Sequence, residues 1–220
     1  ATLYVGTQSN GQGHETVYTR MLAEATGLDP ALIRIVQGDS DRIRTGGGTG
    51  GSRSVTVQGT AMRSTVSALV VGFVDFLAAE WGQPVVFEDH RFGAKATNLR
   101  LTMAEAAALA RSKSRADLLD VAQTIRLEAG AYPNGCHVVE VEIDPETGAL
   151  TLDRYTVVDD FGTQMAPELV AGQVHGGIAQ GYGQAVTEAA IYDENGQLLS
   201  GSFMDYAMPR ASDLPFIALY

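Results

Sequence analysis

Two polar, glycine-spaced segments near the start of the chain have the residue types that bind anions. They are Gly11-Gln-Gly-His14 and the run from Thr45 to Ser54, and each ends where a helical pattern begins. Glycine lets a backbone approach a ligand closely, and the first turn of a helix offers unpaired N–H groups and a partial positive charge. Such a cradle suits phosphate. Two of them together predict a large polyanionic cofactor rather than a small metabolite.

The second segment departs from both common nucleotide-binding motifs. Gly46 and Gly51 have the separation of a P-loop, but Ser52 and Arg53 follow where Lys and Ser or Thr are needed. A dinucleotide fingerprint also fails, because no hydrophobic strand runs directly into the glycines. Two interpretations stay open for this segment: a cradle of backbone N–H groups with the hydroxyls of Ser52 and Ser54, or a flexible surface loop with a serine N-cap.

The side chains of the first segment offer polar contacts as well. Gln12 has both a donor and an acceptor for the edge of a heterocycle, and His14 can cap the following helix or touch a phosphate. Taken singly, each is also an ordinary turn residue.

A third glycine-rich segment, residues 172–183, lies inside a helical pattern. Each of its glycines costs a helix roughly 1 kcal/mol relative to alanine, so something must need the missing side chains. Positions 172, 176, 180 and 183 share a face where another backbone or a flat ligand can approach, and Gln180 projects an amide there. Tight helix–helix packing is the alternative.

Charge is distributed unevenly along the chain. The formal net charge is −11, which argues against nucleic acid or an anionic membrane surface as partner. The second segment is the exception, because Arg42, Arg44 and Arg53 lie within twelve positions that hold no acidic residue. The predicted anion cradle is therefore a locally basic segment of an acidic chain.

Histidine and cysteine usage excludes several site types. The lone cysteine, Cys136, rules out an internal disulfide framework or a thiolate metal cage built from this chain alone, and a cytoplasmic location is expected. The four histidines have no ligand-like spacing, and neither a Ser-His-Asp order nor a nucleophile elbow is visible. No catalytic residue is identifiable. The most apolar stretch, residues 66–79, is too short to cross a bilayer, so no membrane span is expected.

The alternation of strand and helix patterns predicts an α+β fold. Helices pack on mixed or antiparallel sheet, in two similar β-α halves (residues 1–82 and 121–220) around a hairpin insert at 85–94. Both chain ends are apolar and strand-like, which predicts a piece of a longer polypeptide. Strands are predicted at 2–6, 32–36, 85–87, 91–94, 121–129, 137–143 and 150–158. Helices are predicted at 15–25, 52–81 and 167–190, and a further short helix is predicted to begin at a capping box at 102–105.

Taken together, the three segments resemble the large subunit of molybdenum hydroxylases, the family of xanthine dehydrogenase, aldehyde oxidase and aerobic carbon monoxide dehydrogenase. The motifs are Gly-Thr-Gln-Ser-Asn-Gly-Gln-Gly-His14, Gly-Gly-Thr-Gly-Gly-Ser-Arg-Ser54 and His-Gly-Gly-Ile-Ala-Gln-Gly-Tyr-Gly183, in the order that the family has them. Residues 192–199 and 201–210 are similar to its bacterial members. The resemblance covers essentially the whole chain.

The resemblance implies that residues 1–220 are most of the second molybdenum-cofactor-binding domain. The expected cofactor is molybdopterin cytosine dinucleotide, with molybdenum held by the dithiolene of the cofactor rather than by protein ligands. Gln180 is expected to hydrogen-bond near the pterin–dithiolene end. The residues implied in cofactor binding are Gly11, Gln12, Gly13, His14, Thr49, Gly50, Gly51, Ser52, Arg53, Ser54, Gln180 and Gly181.

The resemblance also implies an activity and a set of partners. The family oxidises CO, aldehydes or heterocycles with water-derived oxygen and passes electrons through iron–sulfur and flavin groups. The catalytic glutamate is expected beyond Tyr220, so the fragment alone is expected to be inactive. Expected partners are the first molybdenum domain of the same subunit and iron–sulfur and FAD subunits or domains, in a homo-oligomer of heteromers. Two alternatives are a non-enzymatic assembly module that binds no cofactor and a nucleotide-binding protein that uses the second segment.

Overall fold

The computed structural model describes residues 1–95, 97–128 and 130–220. Within these ranges the chain combines α-helices with three small sheets and divides into two compact units, Ala1–Ala131 and Tyr132–Tyr220. The predicted α+β class is confirmed. The two similar halves at 1–82 and 121–220 stay a prediction.

The first unit opens with a β-α-β motif. Strand β1 (Thr2–Tyr4) pairs in parallel with β2 (Arg34–Val36), and helix α1 (His14–Thr26) makes the crossover. A parallel pair requires such a crossover, because a tight turn can join only antiparallel strands. Helix α1 ends at Gly27, which adopts the left-handed conformation that glycine allows and donates its N–H to the carbonyl of Ala23.

Helix α2 (Ser54–Trp81) is the core element of the first unit. By length and composition it is the one helix among the described residues that could cross a bilayer. Phe73, Phe76 and Leu77 pack on the hairpin and helix that follow, whereas Met62 and Val66 pack on Leu22 of α1. Helix α2 therefore contributes residues to two hydrophobic clusters.

A hairpin insert follows α2, as predicted. Strands β3 (Val85–Glu88) and β4 (Arg91–Ala94) are joined by Asp89 and His90, both with positive φ, as type I′ turns require. Strand β5 (Arg100–Thr102) adds to β4. His90 Nε2 lies 2.8 Å from the carbonyl oxygen of Glu24, so the hairpin turn also caps the end of α1.

Helix α3 (Met103–Ser112) begins at the predicted capping box. The Thr102 hydroxyl accepts from the Glu105 N–H, and the Glu105 carboxylate accepts from the Thr102 N–H. The Thr102 N–H and hydroxyl both donate to the Glu105 carboxylate, and these bonds to the ionised form lower the pKa of Glu105. Met103, Ala106 and Ala110 are buried in the cluster formed by α2 and the hairpin.

The second unit is a three-stranded sheet covered by one helix. Strands β6 (Asn134–Ile143) and β7 (Leu150–Asp160) are antiparallel, and β8 (Ile217–Leu219) runs parallel to β7. Helix α4 (Pro167–Tyr182) packs on the sheet through Ile178. Every residue of the edge strand β6 is exposed, including Val138 and Val141.

One predicted strand and the end of one predicted helix are wrong. Residues 121–128 form no strand, because none of the described strands pairs with them; Ala129, the last residue of that prediction, lies outside the described residues. The helix predicted to reach residue 190 ends at Tyr182, where a π-helical turn (Gly183–Thr187) follows. Gly183 packs there against Glu188 and Pro209 with no room for a side chain, and the Glu188 N–H donates to the Gly183 carbonyl.

The two C-terminal glycines of α1 and α2 form a matched pair for mutagenesis. Gly27 and Gly82 both have positive φ, but only at Gly27 would an added Cβ collide with the His90 side chain. We expect Gly82→Ala to lower the free energy of unfolding by about 1 kcal/mol through backbone strain alone, and Gly27→Ala by a further 1–3 kcal/mol, roughly, through overpacking. Urea denaturation of both variants measures the difference. Equal losses would contradict the close packing of the hairpin on α1.

Candidate functional site

Two of the three glycine-rich segments lie side by side in the first unit. We call residues 6–14 the first loop and residues 45–54 the second loop. Their backbones cross at Gly6 and Gly46, where a Cβ on Gly6 would lie 2.6 Å from the Gly46 Cα and a Cβ on Gly46 would collide with the Gly6 carbonyl. The crossing requires glycine at both positions, because a Cβ atom does not approach backbone atoms so closely.

Hydrogen bonds extend the pairing along both loops. The Gly48 N–H donates to the Gly6 carbonyl at 3.1 Å. The Thr49 hydroxyl donates to the Gln8 carbonyl at 2.6 Å and accepts from the Gln8 N–H at 3.1 Å. The side chain of Thr49 therefore takes the place of a β-ladder partner for the first loop.

Buried and half-buried side chains join the first loop to the start of α2. The Gln58 Oε1 atom accepts from the Gly6 N–H at 3.3 Å. The Tyr18 hydroxyl lies 3.1 Å from the Thr7 hydroxyl and donates to the Ser54 carbonyl at 3.4 Å. Burial raises the pKa of Tyr18 and the Thr7 hydrogen bond lowers it less, so the phenol stays protonated at neutral pH.

Both helices begin at these loops without a side-chain cap. Gly13, with a φ of 80°, precedes α1, and Arg53 precedes α2; neither position provides a capping hydrogen bond. The first N–H groups of each helix therefore keep their capacity to bind an anion. At both starts the sequence signal was the glycine spacing, and the hydrogen bond from the Tyr18 hydroxyl of α1 to the Ser54 carbonyl links the two starts.

The second loop borders a cleft of about 1560 Å³ that lies within the first unit. Arg42 stacks on the Tyr4 ring and donates to its hydroxyl. Arg44 and Arg53 are exposed in the cleft wall and form no ion pair with a described residue. The positive charge predicted from the sequence is therefore available to a ligand.

The predicted residues of the second loop are accessible. Gly50, Gly51, Ser52 and Arg53 are exposed, and a Cβ on Gly50 or Gly51 would meet open space. Ser52 has a φ of 52°, which L-residues rarely adopt. Thus the loop is open where the resemblance puts the ligand and tight only where it crosses the first loop.

The first loop uses part of its polar capacity itself. The Gln12 Oε1 atom accepts from the Asn10 N–H and the Ser9 hydroxyl, so only the amide NH₂ of Gln12 remains to donate to a group outside the loop. His14 is buried, with 2% of its surface exposed. Its Nδ1 lies 3.4 Å from the Gln37 Oε1, whereas its Nε2 has no hydrogen-bond partner in the structure.

The third segment lies in the second unit, on α4. Gln180 and Gly181 are exposed, as is His175. A Cβ at Gly172, Gly176, Gly177 or Gly181 would meet open space, so among the described residues no close helix contact needs these glycines. The alternative of tight packing therefore finds no support at these four positions.

Several residues that hold the two loops in place were not predicted from the sequence. Thr7, Tyr18 and Gln58 hold the loops, yet each lies within an ordinary helix or strand-end pattern. Tyr18 is one turn beyond His14 and packs against its ring, with centroids 5.1 Å apart. The one-turn spacing of His14 and Tyr18, on a helix that follows two glycines, was the one sequence signal that could have pointed to Tyr18. Within the described ranges, no three His, Cys, Asp or Glu residues form a metal-binding group.

The sequence is similar to known proteins along almost all of its length. Residues 1–215 match the molybdopterin cofactor-binding domain family. The chain is 31% identical to the carbon monoxide dehydrogenase large chain of Hydrogenophaga pseudoflava, covering 96% of this chain and 27% of that protein. It is 34% identical to the 6-hydroxypseudooxynicotine dehydrogenase complex subunit gamma of Paenarthrobacter nicotinovorans, covering 97% and 28%. The chain thus spans a little over a quarter of these relatives.

A solved structure shows the same fold. Quinoline 2-oxidoreductase from Pseudomonas putida 86 superposes with a TM-score of 0.84 at 29% identity, covering all of this chain and 29% of that one. Carbon monoxide dehydrogenase from Oligotropha carboxidovorans gives a TM-score of 0.83 at 31% identity, covering 99% and 28%.

Two glycines of the second loop test the backbone crossing. Gly46→Ala introduces a Cβ against the Gly6 carbonyl and is expected to cost about 1–3 kcal/mol of unfolding free energy. Gly50→Ala, in open space, is expected to change it by less than about 1 kcal/mol. Chemical denaturation of the two variants measures both effects. A Gly46→Ala variant as stable as Gly50→Ala would show that the loops do not cross at this point.

The raised pKa of Tyr18 predicts a loss of stability in alkaline solution. Below the ordinary tyrosine pKa of 10.0 the buried phenol is neutral in both states, and the stabilisation is fully present. As pH rises above 10, the unfolded chain releases the Tyr18 proton first, so the unfolding free energy falls by up to about 1.4 kcal/mol per pH unit. Urea denaturation between pH 8 and 11 should show a steeper fall for the unmodified chain than for Tyr18→Phe. Parallel curves would place Tyr18 in contact with solvent.

Proposed function

The chain belongs to the molybdopterin cofactor-binding domain family, and on that premise we propose that its paired loops hold the phosphate-bearing part of molybdopterin cytosine dinucleotide in the large chain of a molybdenum hydroxylase. The observation that carries the proposal is the juxtaposition of two uncapped helix starts by the pairing of the loops, beside Arg44 and Arg53, which form no ion pair with a described residue.

The donors of the site fit a pyrophosphate. The uncapped first turns of α1 and α2 supply N–H groups, and the Ser52 hydroxyl and Arg53 guanidinium add donors at the second loop. Gly50 and Gly51 leave room for close approach, because nothing lies within 4 Å of a Cβ at either position. Charge-assisted hydrogen bonds from arginine suit phosphate oxygens, and the local excess of arginine offsets the acidic charge of the whole chain.

The buried imidazole of His14 also fits a site that is completed by a ligand. Its Nε2 is a buried polar atom with no hydrogen-bond partner among the described residues, and such atoms are costly unless something pairs with them. His14 is the first residue of α1, directly after Gly13. We assign Gly11, Gln12, Gly13 and His14 to the cofactor on this ground together with the family membership.

Each remaining residue has a defined task in the proposal. When bound, the cofactor supplies the metal and the dithiolene that carry the redox chemistry. The chain binds and orients it: Thr49 fixes the first loop, Gly50 to Ser54 face the phosphates, and Gln180 with Gly181 offers an amide and open backbone for the pterin end. The open glycine face of α4 supports the last assignment.

The activity of the whole protein is part of the proposal. The relatives that support it are a carbon monoxide dehydrogenase chain and a 6-hydroxypseudooxynicotine dehydrogenase subunit. We propose oxidation of CO, an aldehyde or a heterocycle with water-derived oxygen, by a cytoplasmic complex with iron–sulfur and FAD partners and a first molybdenum domain in the same subunit. The general base is a glutamate outside residues 1–220, and α2 is a core helix rather than a membrane span.

Cofactor analysis of the large chain that carries this domain tests the proposal. Molybdenum, pterin and cytosine nucleotide are expected in equal amounts per chain. Arg53→Gln should lower the content of all three about tenfold or more, because a hydrogen bond from a charged group to phosphate is lost. Arg63→Gln, at an exposed arginine of α2 that does not line the cleft, is the matched control and should leave the content unchanged.

Three results would count against the proposal. An active large chain without molybdenum would refute it. A chain that contains neither cofactor nor oxidase activity would favour a non-enzymatic assembly module. Equal cofactor loss in Arg53→Gln and Arg63→Gln would remove Arg53 from the site.

A further inference from the structure

We infer that Tyr18 is a positioning residue of the anion cradle, which fixes the start of α2 relative to the first loop through a directed chain of hydroxyl groups. The inference rests on the proposed function, because it concerns the geometry of the same site. Tyr18 is fully buried and faces no open cleft, so it acts on a ligand only through the groups that it holds.

The direction of the hydroxyl chain follows from donor counting. A phenol has a single hydrogen to donate, and the Tyr18 hydroxyl donates it to the Ser54 carbonyl at 3.4 Å. Its oxygen can then only accept from the Thr7 hydroxyl, which lies 3.1 Å away. The chain therefore runs from Thr7 in the first loop through Tyr18 in α1 to Ser54, the first residue of α2.

These three residues belong to the three elements that build the cradle. Thr7 lies in the first loop, Tyr18 one turn into α1 and Ser54 at the end of the second loop. A ligand bound by both helix starts needs a fixed separation between them, and a displacement of about 0.5 Å is enough to weaken a preorganised site. The Tyr18 hydroxyl is the described atom that contacts both loops from one helix.

Loss of this hydroxyl should leave the fold in place. The Gln58 side chain separately binds the Gly6 N–H, and Thr49 separately binds Gln8, so the loops remain attached without Tyr18. The ring of Tyr18 packs against His14, and a phenylalanine keeps that contact. Tyr18→Phe therefore removes positioning while it retains the core.

Calorimetric titration of the 220-residue chain with CDP and with inorganic pyrophosphate tests the inference. The unmodified chain should bind both probes, and Tyr18→Phe should bind each about tenfold more weakly, as expected for the loss of about one well-placed hydrogen bond. Tyr132→Phe, at an exposed tyrosine of the second unit, is the control and should bind like the unmodified chain. Thermal unfolding without ligand is measured in parallel, because a purely structural residue would lower the unfolding midpoint and leave the Kd of the folded chain unchanged.

Substitutions of Thr7 test the same series of hydroxyl hydrogen bonds from its other end. They replace Tyr18→Phe if that variant does not fold. Thr7→Val removes the hydroxyl with little change of shape and should weaken binding to a similar extent. Thr7→Ser keeps the hydroxyl and should restore the Kd of the unmodified chain. In the double variant Tyr18→Phe, Thr7→Val, the two losses of binding free energy should not add, because both substitutions break the same series of hydroxyl hydrogen bonds.

The outcomes separate this inference from the proposed function. If the unmodified chain binds neither probe, the cradle itself is refuted and the role of Tyr18 falls with it. If the unmodified chain binds and both Tyr18→Phe and Thr7→Val keep the same Kd, the cradle stands and the positioning role is overturned. Additive losses in the double variant would also overturn it, because they would show two independent contacts.

Discussion

The crossing of two backbones at Gly6 and Gly46 is the constraint on which the first unit depends. Without side chains at these positions the loops come close enough for Gly48 to donate to Gly6 and for Thr49 to pair with Gln8 on both of its backbone groups. Ordering two glycine-rich loops costs much conformational entropy. Because these contacts form during folding, that entropy is lost before any ligand arrives. The helix starts are thus preorganised, which favours binding.

The sequence predicted the main elements of the fold because their signals are local. The hairpin turn at Asp89 and His90 and the capping box at Thr102 each depend on residues within a few positions, and both form as expected. The strand predicted at 121–129 failed because a strand needs a partner, and no local pattern reveals whether one exists. The end of α4 failed for a similar reason, since the contacts of Glu188 and Pro209 with Gly183 come from further along the chain.

The candidate site was predictable only in part. Glycine spacing pointed to two loops that pair with each other in the structure, but it did not distinguish Gly46, which permits a backbone crossing, from Gly50, which faces open space. Burial of His14 and the bridging role of Tyr18 depend on how α1 lies against α2, which the sequence pattern does not contain. Local charge was the more reliable guide, because Arg44 and Arg53 remain without acidic partners among the described residues. An exposed charge acts over about 8–10 Å in physiological salt, and the cleft lining holds five arginines against two acidic residues, Asp120 and Glu128, so an anion in the cleft would meet a locally positive field.

Strand β6 has a consequence for the behaviour of the chain in solution. An unpaired sheet edge with exposed valines on it is a template for association with other strands. Glu140 and Glu142 alternate with Val139 and Val141; Glu140 forms an ion pair with Arg154 of β7, whereas Glu142 has no ion-pair partner among the described residues. Two copies of the strand laid edge to edge in register would bring the Glu142 carboxylates together. The Glu142 carboxylate therefore disfavours self-assembly, while the same edge stays open to a strand that carries the opposite charge.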